Sequence, residues 1–305
     1  MKIVIGTDLS ENSLDAARQG FAMAERMHRE DDPAEVYVAY VEGQGTWYPQ
    51  VGTTTILDDP DNRRRMEAQV HEFLEEHLGE ELEGKLDYEL ILEEGRASKK
   101  LPEIVDRLAA DWLVVGQSGQ GALARLVAGS TVEKLSHRPP CNLAIAHSNG
   151  VDWASRPTIL VGIDFSEASE KALNLAIDLA EQASARLHIL HVVYPPGPIA
   201  LPDGLVGYAG GEYQEVSAVR ERARGEMEVL VDKRQTRLDD IDWTSEVVTG
   251  YPTREIVGYA EDNDIDAIVV GTVGRSAMDD FLLGSVASGV VKHMPCTVLL
   301  TPPAH

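Results

Sequence analysis

The sequence is poor in cysteine, in basic residues and in long apolar runs. Two cysteines, Cys141 and Cys296, stand in 305 residues. That is too few for a disulfide framework and is in keeping with a reducing cytoplasm. Nowhere do about 18 apolar residues follow one another, which excludes a membrane-spanning helix. The amino-terminal MKIVIGTDLS has one lysine and a short apolar run, then turns acidic with no small-residue cleavage site. It reads as a first strand and not as a signal peptide. Lys and Arg number 27 against 51 Asp and Glu, a net charge of −24. Such a chain repels phosphate backbones and anionic lipid, so neither nucleic acid nor a membrane is an expected partner. The acidic excess has two readings, an ordinary solvated surface or a salt-adapted host. Under the second, the melting temperature climbs between low and molar KCl.

Catalytic signatures are missing too. There is no G-x4-G-K-[ST], so no P-loop lysine reaches a β- or γ-phosphate. Neither G-x-S-x-G nor H-E-x-x-H occurs. The nine histidines show no ligand spacing; His191 reads as a strand residue and the others as surface.

What the sequence does have is the material of a globular protein written twice. An apolar share of 43% and a charged share of 26% are ordinary, and the length predicts two domains. Residues 3–25, IVIGTDLSENSLDAARQGFAMAE, return as 159–181, ILVGIDFSEASEKALNLAIDLAE. Gly6, Asp8, Ser10 and Ser13 recur at an offset of 156. Further on, Gly95, Gly116, Gly119, Gly129, Ser130, Pro140 and Cys141 recur at an offset of 155. The repeat predicts two copies of one domain, 1–148 and 156–305. The seam SNGVDWASRP, 148–157, reads as a polar linker.

Each copy alternates short β-branched runs with helical periods. The expected strands are 2–7, 35–41, 86–92, 112–116 and 142–147, then 158–163, 186–193, 244–249, 267–271 and 296–301. Runs such as LVVG and AIVVG are apolar throughout, as in a parallel sheet covered on both faces. Leu14, Ala17, Phe21 and Ala24 mark the buried stripe of a first helix, with Ser10 or Ser13 as its N-cap. Further helices are expected over 63–78, 131–138, 214–232 and 286–293. The order predicts α/β architecture, two tandem doubly wound domains with helices on both faces of each sheet. Such sheets bind ligands at the carboxyl ends of their strands. Two long stretches, 43–62 and 194–213, are expected as mobile surface loops or as lids. Trp47, Tyr48, Tyr208 and Tyr213 would serve the second role.

After its fourth strand each copy reads G-x2-G-x9-G-S: Gly116, Gly119, Gly129 and Ser130, then Gly271, Gly274, Gly284 and Ser285. The first two glycines flank a turn where a missing Cβ lets backbone approach a ligand. The third opens a helix whose free N–H groups and partial positive charge suit a phosphate. A reading in which these glycines only permit tight turns stands beside it. Asp8 and Asp164 close the first strand of each copy, where a carboxylate can meet a ribose or base amine, or close an Asx-turn; both roles can coexist. Val41 and Val192 end the second strand, where backbone could read an adenine edge. Cys141 and Cys296, each just after a proline, read as structural thiols.

With these motifs in place, the chain resembles the universal stress protein family, its ATP-binding subclass, over 1–147 and 157–302. The resemblance implies a Rossmann-like (adenine nucleotide alpha hydrolase-like) fold, a five-stranded parallel sheet per copy with ATP, ADP or AMP across its carboxyl edge. It implies that Asp8 and Val41 face the adenosine, and Gly116, Gly119, Gly129, Ser130 and Thr131 the phosphates, with Thr7 also among the cofactor-binding residues. In the second copy the set is Ile163, Asp164, Val192, Gly271, Gly274, Gly284, Ser285 and Val286. Thr131 departs from the family's usual valine. Domains of the family pair through their last strands, so the copies are expected to form an intramolecular pseudo-dimer, with a homodimer as a further possibility. The implied role is a nucleotide-responsive binding module in the stress response, acting on a protein partner the sequence does not name. A slow ATPase or phosphotransferase and a scaffold with structural nucleotide are the alternatives. Between the second and third glycines, Asp279 and Asp280 replace Ala124 and Arg125, so unequal sites are expected, the second calling for Mg²⁺ to bridge carboxylate and phosphate.

Overall fold

The computed structural model describes residues 1–29, 31–43, 56–82, 87–118, 129–153, 155–194, 199–200, 206–207, 212–273 and 283–302. The first copy runs β1 (Lys2–Thr7), α1 (Glu11–Met27), β2 (Glu35–Glu42), α2 (Pro60–Leu82), β3 (Tyr88–Glu94), α3 (Ala97–Leu108), β4 (Trp112–Gly116), α4 (Ser130–His137) and β5 (Asn142–Ala146). The second runs β6 (Thr158–Ile163), α5 (Glu167–Ala183), β7 (Arg186–Val193), β8 (Ile199–Ala200), β9 (Val206–Gly207) and α6 (Glu212–Asp232). It continues with α7 (Gln235–Leu238), β10 (Asp242–Thr249), α8 (Pro252–Asp262), β11 (Ala267–Gly271), α9 (Ser285–His293) and β12 (Thr297–Thr301).

The apolar runs form strands because both faces of the sheet are covered. β4 and β11 are buried at every residue but the terminal glycine. Strand ends differ from the sequence expectation where polar residues carry the ladder onward. β3 reaches Glu94, beyond the expected 92, because Glu93 and Glu94 pair with Val41 and Glu42. β10 starts at Asp242, two residues early, because Asp242 pairs with Arg186. Neither extension has an apolar pattern to announce it. α2 starts at Pro60, inside the expected loop 43–62, since a proline suits the first helical position. α4 and α9 each begin one residue before the expected start, with Gly129 and Gly284 as their N-caps. In the stretch 194–213, β8 and β9 pair as a short antiparallel ribbon, Ile199 opposite Gly207.

The N-cap question resolves at Ser10, whose side chain accepts from Ser13 N while the Ser13 hydroxyl accepts from Ser10 N. That reciprocal box fixes the entry of α1, and Ala17, Phe21 and Ala24 are buried on the expected face. Leu14 is only half-buried.

Ten strands form one sheet in the order β10-β7-β6-β11-β12-β5-β4-β1-β2-β3. Within each copy every pairing of this ten-stranded sheet is parallel. The copies join where β12 runs antiparallel to β5, with Leu299 opposite Ala144. The expected pseudo-dimer is thus a continuous sheet inside one chain. On one face, a single apolar cluster draws on both copies, including Ile3, Phe21, Ile159 and Leu173.

The seam 148–157 departs from its reading as a polar linker. Val151 is 4% exposed and Trp153 only 1%, and both belong to that shared cluster. A buried polar chain crosses the same place. Thr297 Oγ1 donates to Gln19 Oε1 at 2.8 Å, and Gln19 Nε2 donates to the His147 carbonyl at 3.0 Å. Burial there holds the His147 imidazole below its ordinary pKa. Among the described residues no helix is long and apolar enough to cross a membrane.

Candidate functional site

The strand order reverses direction between β1 and β4, and again between β6 and β11. Crevices at the carboxyl ends of strands open at such points. A cavity of about 370 Å³ lies at the first, between the tips of β1, β2 and β4 and the first turns of α3 and α4. Its counterpart, about 380 Å³, lies at the second.

The described site residues expected from the sequence come together at these cavities. Thr7, Asp8, Val41, Gly116, Gly129, Ser130 and Thr131 line the first. Ile163, Asp164, Val192, Gly271, Gly284, Ser285 and Val286 line the second. Gly119 and Gly274 lie outside the described residues, as do Trp47, Tyr48, Tyr208, Ala124, Arg125, Asp279 and Asp280. Tyr213 falls in the first turn of α6.

Asp8 and Asp164 close Asx-turns. Asp8 Oδ1 accepts from Ser10 N at 3.2 Å, and Asp164 Oδ1 accepts from Ser166 N at 3.0 Å. The residue between is forced left-handed, with φ 61° at both Leu9 and Phe165. A bulky residue there is strained, and such strain persists only where its surroundings impose it. Here it turns the chain sharply from strand to helix while leaving the carboxylate at the cavity wall.

The role of the first signature glycine differs from the expected one. A Cβ on Gly116 would lie 2.2 Å from the Asn12 carbonyl oxygen, and one on Gly271 would lie 2.8 Å from that of Ala168. The close approach is therefore to the first turn of α1 or α5, protein against protein. The third glycine seals the mouth of the turn. Gly129 N donates to Gln117 O at 2.9 Å, and Gly284 N donates to Thr272 O at 2.7 Å. Neither N-cap glycine has a side-chain capping bond, so the N-termini of α4 and α9 face the cavities with backbone donors.

Sequence reasoning missed several lining residues. Ala97 and Leu101 of α3, and Pro252 and Ile256 of α8, form one wall. The recurrence of Gly95 and Gly250 just upstream was the available signal, since each ends the turn that delivers that helix. Ser118 was missed as well; it lines the first cavity and accepts from Asn12 Nδ2 at 2.8 Å.

Other groups sit apart from the cavities. Cys141 and Cys296 are buried and unpaired, and burial, reinforced by nearby carboxylates, pushes both thiols up to about 12. A thiol so raised stays protonated and inert. His191 lies in β7, its Nδ1 2.7 Å from the Ile163 carbonyl. Among the described residues no group of three or more His, Cys, Asp or Glu is placed to hold a metal ion.

Comparison with known proteins follows the repeat. The model of the "Universal stress protein family" matches residues 1–147 and again 156–302. A universal stress protein of Mycobacterium tuberculosis is 29% identical over 293 residues, 95% of this chain and 92% of the relative. One from Mycolicibacterium smegmatis is 29% identical over 312 residues, 99% of this chain and 97% of the relative. Among solved structures, a universal stress protein from Archaeoglobus fulgidus superposes with a TM-score of 0.65 at 19% identity, over 99% of this chain and 98% of that one, a likeness of fold.

Proposed function

The chain belongs to the universal stress protein family, and from that premise we propose that it is a regulatory module responsive to adenine nucleotide, one at each cavity. The observation that carries this reading is the duplicated cradle. In each copy a strand-one aspartate, a strand-two valine and an uncapped helix N-terminus with its serine line one cavity. Backbone N–H groups at a helix start suit phosphate oxygens, and the carboxylate suits hydroxyl or amine donors of the nucleoside. Occupancy would set the neighbouring loops and, through them, the choice of a protein partner.

Binding is favoured over turnover on the lining itself. Among the described residues neither cavity is lined by Lys, Arg or His. Phosphoryl transfer needs stabilisation of the developing negative charge, and the described walls offer hydroxyls, amides, apolar groups and an aspartate carboxylate in place of a cation. The pairing of β5 with β12 occupies the last-strand edges within the chain. We therefore take the fused pair to stand in for a family dimer. Two buried, unpaired thiols fit a reducing cytoplasm.

The test is direct. Protein purified under native conditions is denatured, and the supernatant is chromatographed for ATP, ADP and AMP. Stripped protein is then titrated with ATP by calorimetry. Two sites per chain are expected. A chain that carries no adenine nucleotide and binds none after stripping removes the reading.

A further inference from the structure

The two cavities agree in volume and in their backbone, yet four equivalent positions around them change chemistry. Thr7, Asn12, Ser118 and Thr131 in the first copy are Ile163, Ala168, Val273 and Val286 in the second. Thr7, Ser118 and Thr131 line the first cavity, and Ile163, Val273 and Val286 line the second. Ser118 is 9% exposed and is held by Asn12, so its hydroxyl is a fixed feature of that wall. The second copy has no Asn12 to hold such a group and no hydroxyl to hold. Asp8 and Asp164, Ser13 and Ser169, and Ser130 and Ser285 are the same on both sides, so they cannot account for any difference.

The mouths differ in the same sense. Beside the second cavity opens a groove that shares Pro252, Ser285 and Val286 with it. Tyr194, 54% exposed, and Tyr251, 62% exposed, stand in that groove edge to face with ring centroids 5.2 Å apart. Tyr251 is the N-cap of α8, and Arg96 is the N-cap of α3. At the other matching position Gly43 stands for Tyr194. At these two matching positions the second copy thus carries two tyrosines, and the first a glycine and an arginine.

Hydroxyls meet phosphate oxygens with charge-assisted hydrogen bonds. Branched apolar side chains leave such oxygens desolvated and unpaired, which opposes a polyphosphate. Exposed aromatic rings favour a flat ring system whatever its charge. We propose that the cavities divide the ligands between them. The first takes a nucleoside polyphosphate, and the second takes a nucleoside or nucleoside monophosphate held by its ring. This rests on the nucleotide reading of both cavities and adds the number of phosphates each accepts. The chain would then compare a charged nucleotide with its dephosphorylated product within one continuous sheet.

The experiment uses the full chain, stripped of nucleotide, titrated separately with ATP, AMP and adenosine by calorimetry. Two classes of site are expected, whose ATP-to-AMP affinity ratios differ by about tenfold or more. Ser118→Val with Thr131→Val should lower ATP affinity of the polyphosphate class about tenfold and leave the other class unchanged. Val273→Ser with Val286→Thr should raise ATP affinity of the second class. Tyr194→Ala with Tyr251→Ala, both at exposed positions, should weaken AMP and adenosine in the second class alone. Equal ATP-to-AMP ratios at both sites, unmoved by these exchanges while nucleotide still binds, overturn the division and leave the nucleotide reading standing. No binding of any of the three ligands overturns both.

Discussion

In the first copy strand one ends Gly6-Thr7-Asp8-Leu9-Ser10, and in the second Gly162-Ile163-Asp164-Phe165-Ser166. The backbone follows the same course in both, with the fourth residue left-handed at φ 61° and the aspartate accepting from the serine N–H. A threonine and an isoleucine, a leucine and a phenylalanine, serve one turn equally well. The turn is dictated by the Asp-x-Ser hydrogen bond, and the side chains between are free to diverge. The same holds after α3 and α8, where Ala109 and Asp264 take φ 50° and 49°. Duplication has preserved the backbone devices and the lining Asp8 and Asp164, Ser13 and Ser169, and Ser130 and Ser285, while other side chains that face the cavity have diverged.

The sharpest way to break the comparison is at the signature glycines. A Cβ on Gly116 meets the Asn12 carbonyl oxygen at 2.2 Å, whereas on Gly271 the nearest backbone lies at 2.8 Å. Gly116→Ala should cost about 3 kcal/mol and Gly271→Ala about 1 kcal/mol, read as shifts in urea midpoint. Equal costs would mean that α1 and α5 approach their strands equally closely.

The thiols should behave alike, which tests the sameness of the two copies. Cys141 and Cys296 are both pushed from 9.0 up to about 12, first by burial. Between pH 9 and 12 the unfolded thiol ionises while the folded one keeps its proton, so the native state binds more protons there. Stability is therefore intact below pH 9 and falls as the pH climbs toward 12. Cys141→Ala and Cys296→Ala should each flatten that alkaline fall by the same amount in urea titrations from pH 8 to 11. A flattening by one variant only would separate the environments of the last strands.

The smallest effect concerns the left-handed turns. Alanine pays for its Cβ at φ 50°, while aspartate tolerates this region better. Ala109→Gly should stabilise the chain by about 1 kcal/mol and Asp264→Gly by less. A larger gain at 264 in thermal melts would reverse the assignment of strain.

Much of the fold is written in consecutive residues. β1, β4, β6, β7 and β11 have the bounds predicted for them; β4 and β11 are apolar throughout, as suits strands covered on both faces, while β7 carries Arg186, His188 and His191 among its apolar residues. The duplication, the cradle glycines, Asp8 and Asp164, and the first helix with its serine cap are likewise local patterns. Strand ends were less legible where Glu93, Glu94 and Asp242 extend the ladder, since pairing there is decided by the neighbouring strand. The cavity wall from α3 and α8 was not legible, because Ala97, Leu101, Pro252 and Ile256 carry no mark that separates lining from core.

By itself the sequence determined two copies of a doubly wound domain and the residues gathered at their switch points, because period, repetition and turn chemistry are properties of neighbours along the chain. The joining of last strand to last strand was known from resemblance and not from the residues. Tertiary structure decided the rest. It placed Trp153 of the polar-looking seam in a core common to both copies, gave Gly116 its partner in Asn12, and set Ser118 against Val273 in equivalent walls. Each of these depends on which distant surfaces meet, and burial and close contact are settled by packing between elements, which no local pattern encodes.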